Sequence, residues 1–266
     1  MHLFSQTMMV ARSLRLAGVL LGALLVLLIV GPLLRLVWEA SPGALADAAR
    51  DREIRDSITL TILTASAATM LALILGVPLA YALARTRFPG SQLVRGLLDL
   101  PVVIPHPVAG IALLLFLGRH STVGGALGAL GLEFVSHVPG IIAGMLFVSA
   151  PLVMNGAREA FAAVDPKLER VARTLGDTPW EAFRRVTLPL SARGILAGAL
   201  LGWGRSVSEF GAIVILTYNP KVASILIFDR FTVYGLPAAV PAAVLLLAVA
   251  LGVFVLLRLL EPADRG

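Results

Sequence analysis

Apolar residues run along this chain in long unbroken blocks, separated by short stretches that gather nearly all the charge. A charge-free run of about 18 or more residues is long enough to cross a bilayer as a helix. Leu16–Leu34, Ser57–Ala84, Leu100–Gly118 and Phe134–Ala157 meet that length, and Phe231–Leu257 is long enough to span with tilt. Gly194–Thr217 joins them as a sixth segment, apolar except for Arg205 and Glu209. The pattern predicts an all-α integral membrane protein with six spans, at 16–38, 57–84, 98–118, 136–158, 194–217 and 236–258. Connecting segments then fall at 39–56, 119–135 and 218–235 on one side and at 85–97 and 159–193 on the other, with termini 1–15 and 259–266. The first run is longer than a signal-peptide core and other spans follow it, so it reads as an anchor and not as a cleaved leader.

Composition supports the same solvent. The chain is 58% hydrophobic and 14% charged, whereas a soluble domain carries roughly 25% charged residues. A sizeable soluble catalytic domain is excluded. The absence of cysteine removes disulfides, thiolate metal sites and thiol catalysis. The net charge of +6 raises the question of nucleic acid, but the placement of the charges answers it. With the N-terminus inside, the cytoplasmic segments carry fourteen of the 22 Lys and Arg, and the external ones seven. This asymmetry predicts cytoplasmic termini, a multi-pass protein of the cell membrane and no nucleic-acid partner.

The connections differ in character. Glu39–Asp56 is charged and Ala-rich, which suits a short interfacial helix, and Arg119–His137 is glycine-rich and reads as a flexible connection with room for a short re-entrant helix. The segment Arg158–Arg193 is the most structured. Asp165 can cap a helix opening on Pro166. Leu168, Val171, Ala172 and Leu175 recur at helical spacing, and Gly176 stands where a helix stop wants a left-handed residue. Asp177 or Thr178, followed by Pro179 and Glu181, predicts a second helix near a capping box, with Trp180, Phe183 and Val186 on its apolar side. Pro189 is expected to end it before the fifth span. Two readings of this helix–Gly–helix module stay open: a hairpin lying on the lipid surface, or a docking element for a partner's groove.

Glu169–Pro189 resembles the EAA motif of ABC importer permeases, which places three residues between its last alanine and a glycine, then nine more, then I-x-L-P. Ala172, Gly176, Val186, Leu188 and Pro189 fall in that register; the first two letters of EAA read Arg170 and Val171 here, with a glutamate one position earlier at Glu169. Further along, DLPVVIPHPVAGIALLLFLG (Asp99–Gly118) and SEFGA (Ser208–Ala212) resemble the oxyanion branch of this family, molybdate/tungstate permeases first and sulfate permeases next, and LGVPLAYALAR at Leu75–Arg85 is general to it. The resemblance covers about residues 57–257. It implies a type I ABC importer permease fold, a homodimer around a shared path, two cytoplasmic ATPase subunits that hold ATP and magnesium, and an external solute-binding protein. The chain itself would bind no cofactor and no metal. Glu169, Arg170, Ala172, Leu175, Gly176, Val186, Leu188 and Pro189 would form the coupling surface for the ATPase. An oxyanion such as molybdate or tungstate would be the cargo, with sulfate or thiosulfate the alternative.

Polar residues within the spans are the candidates for a path. Arg205 and Glu209 stand four apart, on one face of the fifth span, and are read either as a self-neutralising pair or, with Ser208, as a lining that offsets an anion's charge. Ser57, Thr61 and Thr64 recur at helical spacing in the second span and are candidates for the same path, although hydroxyls often bond back to their own helix. Gly202, Gly204 and Gly211 offer close approach to a second copy. Pro101, Pro105 and Pro107 predict a break at the entry to the third span, with His106 among them as a packing residue before a transport one. Asp99 is expected to cap a helix, and Trp38 and Tyr81 to sit in the interfacial aromatic belt. Two other classes compete. An intramembrane serine hydrolase would need Gly204–Ser208 to carry its nucleophile, but that text lacks the second glycine of G-x-S-x-G, and His106 and His137 lie at span ends. A transporter acting alone would show an internal repeat, which is not found, and would leave the helix–Gly–helix module without a partner.

Overall fold

The computed structural model describes residues 2–86 and 88–259. The expected tail lies outside the described residues from 260 onward, Arg265 included, and so does Arg87. In chain order the helices are α1 (His2–Glu39), α2 (Pro42–Arg50), α3 (Arg52–Arg85), α4 (Ser91–Val103), α5 (His106–Leu117), α6 (Thr122–Ala129) and α7 (Val138–Ala163). Then follow α8 (Pro166–Thr174), α9 (Pro179–Ala182), a π-helical turn (Phe183–Thr187), α10 (Leu188–Val207), α11 (Gly211–Leu216), α12 (Ala223–Tyr234) and α13 (Leu236–Leu259). Among the described residues, Ala17–Glu39, Arg52–Arg85, Val138–Ala163, Pro179–Val207 and Leu236–Leu259 are each long and apolar enough to cross a bilayer. The pair α4 and α5 makes a sixth crossing if taken as one span bent by 114°.

Local sequence sets the helix starts. Ser41 accepts from the Ala44 amide ahead of α2, and Asp51 accepts from the Glu53 and Ile54 amides at the head of α3. Pro166, Pro179 and Pro189 occupy first-turn positions, where the missing N–H leaves no donor stranded.

The core forms where α7 runs between α3 and α10. Ala65 and Ala68 of α3 meet Ile141 and Met145 of α7, with Trp203 and Val207 of α10 closing the third side. At the end that bears α8 and α9, Ala80, Met154, Ala157, Phe161 and Ile195 pack together. The small residues have a steric purpose. Helices in lipid gain little by hiding apolar surface from one another, so they hold together through close packing. A Cβ on Gly156 would stand 2.6 Å from the Gly198 Cα, so α7 and α10 can cross this closely only at glycine. In contrast, α1 keeps its apolar side chains exposed from Val19 to Ile29 and meets the body near its C-terminal end, through Leu36 and Ala40.

Several expectations change. The segment 194–217 is not one helix: α10 begins at Leu188 and stops at Val207, and a break at 208–210 precedes α11. Pro189 does not end the preceding helix. The π turn leads into α10 without interruption, and the Leu188 amide reaches back to the Phe183 carbonyl. That longer bond accommodates the proline, which has no N–H to contribute and would crowd a tighter turn. The segment 218–235, expected to be plain connection, contains α12. Asp99 caps nothing; it lies inside α4 and accepts a 2.6 Å hydrogen bond from Asn155 Nδ2 of α7. Tyr81 leaves the aromatic belt and turns inward against Phe161 and Phe183. A short helix is present within 39–56 as α2 and another within 119–135 as α6.

Candidate functional site

Two places concentrate polar chemistry. The first is the helix–Gly–helix module. Asp165 accepts from the Lys167 amide and starts α8, and Gly176 stops it at φ +106, a conformation that side-chain-bearing residues rarely adopt. Thr178 and Glu181 form the reciprocal capping box of α9, and Asp177 is paired to Arg185 at 2.6 Å. The turn thus presents Leu175, 83% exposed, and Trp180, 66% exposed, and Leu168 and Val171 of α8 are exposed as well. Arg170, Arg173, Arg184 and Arg185 of the same module are exposed too. Large apolar side chains held this far out by a well-capped turn form a knob suited to a complementary groove.

Not every residue expected on that surface lies there. Glu169 and Ala172 face into the chain. The Glu169 carboxylate accepts from Arg85 Nε at 3.0 Å, from the Tyr81 hydroxyl at 3.1 Å and from the Thr187 hydroxyl at 2.5 Å. Arg85 Nη1 continues to the Val164 carbonyl at 3.0 Å. Burial alone would raise the Glu169 pKa, but the Thr187 hydrogen bond, the Arg85 charge and the Tyr81 hydroxyl outweigh it and hold the carboxyl below its ordinary value. The inward turn follows from helical geometry: Glu169 and Ala172, three apart, share the flank of α8 beside the Leu168–Leu175 stripe, and Ala172 is small enough to sit against the body. Leu188 packs inward with the Phe161 cluster, Val186 is half-buried and Pro189 is exposed.

The second place is the break between α10 and α11. Glu209 is 1% exposed, and its carboxylate serves one side-chain and one backbone donor. Oε2 stands 2.6 Å from Arg205 Nη2, while Oε1 accepts from the Ala212 amide at 2.7 Å and so satisfies the start of α11. The Glu209 carbonyl accepts from the Ser224 hydroxyl of α12 at 2.8 Å. Arg205 Nη1 donates to Ser208 Oγ at 3.3 Å. His106, at the other broken helix, brings Nε2 to 3.8 Å from Glu209 Oε2. The two breaks meet because small residues let them: a Cβ on Gly211 would lie 2.7 Å from the His106 Cβ, and one on Gly110 would lie 2.8 Å from the Ala212 carbonyl oxygen. Reading along the chain, His106 was a packing residue; only the meeting of the two breaks puts it beside a buried carboxylate. The Pro-His-Pro text was the available signal.

The remaining candidates are consumed within the chain. Ser57, Thr61 and Thr64 are buried, and their hydroxyls donate to the Ile54, Ser57 and Leu60 carbonyls of their own helix. Thr61 Oγ1 also accepts from the Ala223 amide, tying α3 to α12. Gly202 lies against Val153 of the same chain, and Gly211 against His106, which leaves Gly204 facing open space. Ser206 is buried, and its hydroxyl has no hydrogen-bond partner among the described residues, so no base is positioned on the hydrolase candidate.

Long helices, a broken pair meeting at a buried ion pair and a capped apolar knob define a multi-pass helical membrane protein. The chain belongs to the family of binding-protein-dependent transport system inner membrane components, whose model matches residues 72–265. It is 45% identical over 208 residues to the molybdate/tungstate transport system permease protein WtpB of Thermococcus kodakarensis, covering 78% of this chain and 79% of that one. The permease of the same name from Pyrococcus furiosus is 43% identical over 248 residues, covering 92% of this chain and 94% of the relative. Among solved structures, a bacterial ABC transporter that imports the acidic polysaccharide alginate shares the fold, with a TM-score of 0.73 at 19% identity over 94% of this chain and 96% of that chain. The protein is therefore an ABC transporter permease subunit of the membrane and not an enzyme, and ATP hydrolysis belongs to a separate subunit.

Proposed function

We propose that this chain carries molybdate or tungstate into the cytoplasm as one of two identical permease subunits, with two ATPases beneath and a solute-binding protein outside. In this reading six spans cross the membrane, the bent α4–α5 pair being one of them, and both termini are cytoplasmic. The relatives' names support the cargo. The carrying observation is the capped knob: Leu175 and Trp180 are exposed on a capped turn in a module with four exposed arginines, which suits seating in a groove of the ATPase. ATP and magnesium would be held there and not by this chain. Arg170, Gly176, Val186 and Pro189 belong to the same docking module.

The path runs past the α10–α11 break. Arg205 retains exposure and Ser208 is exposed, so they can meet an anion, while Glu209 keeps the guanidinium fixed and nearly neutralised. A conduit gains from that balance, because a bare buried cation would hold an oxyanion too firmly to release it.

The test is uptake of molybdate or tungstate into vesicles by the reconstituted transporter. Uptake should require ATP and the ATPase, and excess sulfate should compete weakly. Leu175→Asp combined with Trp180→Asp should abolish co-purification of the ATPase while leaving the permease folded. ATP-independent uptake, or an intact complex with the double variant, rejects the mechanism; strong competition by sulfate transfers the cargo to sulfate.

A further inference from the structure

Glu169 does more than fill space beneath the knob. Four elements meet at its carboxylate: α8, which carries it; α3, through Tyr81 and Arg85; the π turn, through Thr187; and the end of α7, through Arg85 and the Val164 carbonyl. The Arg85–Glu169 pair is largely withdrawn from solvent, with side chains 12% and 17% exposed. Aromatic rings close the node on its other side: Tyr81 meets Phe161 and Phe183 at centroid distances of 5.4 and 4.7 Å, and Phe183 stacks on Trp180 at 5.5 Å. Trp180 is itself part of the exposed knob, so contacts run without a gap from the knob to α3.

Covalently, α8 is joined to α7 only through Val164 and Asp165. Extended backbone there, with the Gly176 turn at the other end of α8, would let α8 swing as a hinged segment. We propose that Glu169 is a positioning residue that removes this hinge, fastening α8 to α3 and to the π turn that runs into α10, so that a push on the knob moves those helices together. This rests on the docking reading given above. A charged acceptor suits the task, because three donors of different geometry converge on one group and each bond is strengthened by its charge.

Glu169→Gln keeps the size and one carbonyl acceptor but discards the ion pair. In proteoliposomes containing the complete transporter, ATP hydrolysis should persist while oxyanion transported per ATP falls about tenfold, within the usual range of coupling between distant sites. In the full-length permease, spin labels at Arg173 and Thr86, both exposed, should report a narrow distance distribution that broadens in the variant. Tyr81→Phe with Thr187→Val leaves the Arg85 pair in place and should give a smaller change in both readings, which also serves if the glutamine variant folds poorly. An unchanged ratio in Glu169→Gln, or a lost ratio with the label distances still narrow, overturns the assignment. If the knob variants leave the ATPase bound, the docking reading fails, yet the label distances still decide whether Glu169 holds the module.

Discussion

Glu209 acts as a counter-ion and a backbone cap at once, and that double duty explains how a carboxylate can be this deeply buried. Each oxygen has a donor, one from Arg205 and one from the Ala212 amide. Removing one partner of a buried pair is costly because the other charge is left uncompensated, typically by ~3–5 kcal/mol. Arg205 is about a quarter exposed, so a smaller loss applies. Glu209→Gln should lower stability by about 2 kcal/mol. Arg205→Gln added to it should restore part of that loss, since no orphaned charge then remains; thermal unfolding of the detergent-solubilised variants measures both, and strictly additive losses would deny the coupling. The spacing of Arg205 and Glu209 showed in the sequence, but as a pair on one continuous helix. The contact survives the helix break because the Glu209 amide still turns back to the Ser206 carbonyl.

At the scale of the elements, proline and glycine decided more than hydrophobicity did. Three prolines in Asp99–Gly118 announced a break, and the bend between α4 and α5 is where they predicted it. Pro189 misled, because a proline just inside a helix start and one just past a helix stop look alike in the text; the intervening π turn distinguishes them. The second break, at Ser208–Phe210, has no proline at all. It exists because Glu209 caps α11 and because α11 must pass close to α5. Gly110 and Gly204 separate the two kinds of glycine. Gly110→Ala would drive a Cβ against the Ala212 carbonyl, a backbone group that cannot swing aside, and should destabilise by roughly 1–3 kcal/mol. Gly204→Ala meets nothing within 4 Å and should be neutral or stabilising by up to about 1 kcal/mol in the same unfolding assay. Equal effects at the two positions would refute this account of the α5–α11 contact.

Across the whole molecule, ion pairs at both ends fasten elements distant in sequence. At the end opposite the module, Arg230 of α12 donates to Asp51 at 2.7 Å and to Glu53 at 3.1 Å. The hydrogen bond from Arg230, followed by its charge and the capped amides, outweighs burial and holds the Asp51 carboxyl below its ordinary value, as Glu169 is held at the other end. Carboxyls with lowered folded-state pKa contribute fully above their ordinary values, 3.8 and 4.5, and lose that contribution as pH falls through the lowered ones. The melting temperature of the solubilised chain should be insensitive to these groups from neutral pH to about pH 5 and fall below it. Asp51→Asn should remove its share of that acid dependence, worth at most about 1 kcal/mol for so exposed a pair; stability that rises on acidification would contradict it. The all-helical class, the solvent, the capped module and its exposed knob were legible because each depends on residues near in sequence: an apolar run, a cap, a glycine. The inward turn of Glu169, the burial of Ser57, Thr61 and Thr64, and the meeting of His106 with Glu209 were not. They depend on which helix lies beside which, and a repeat of apolar residues that could face lipid or protein equally well does not encode that choice; close packing between particular small residues does.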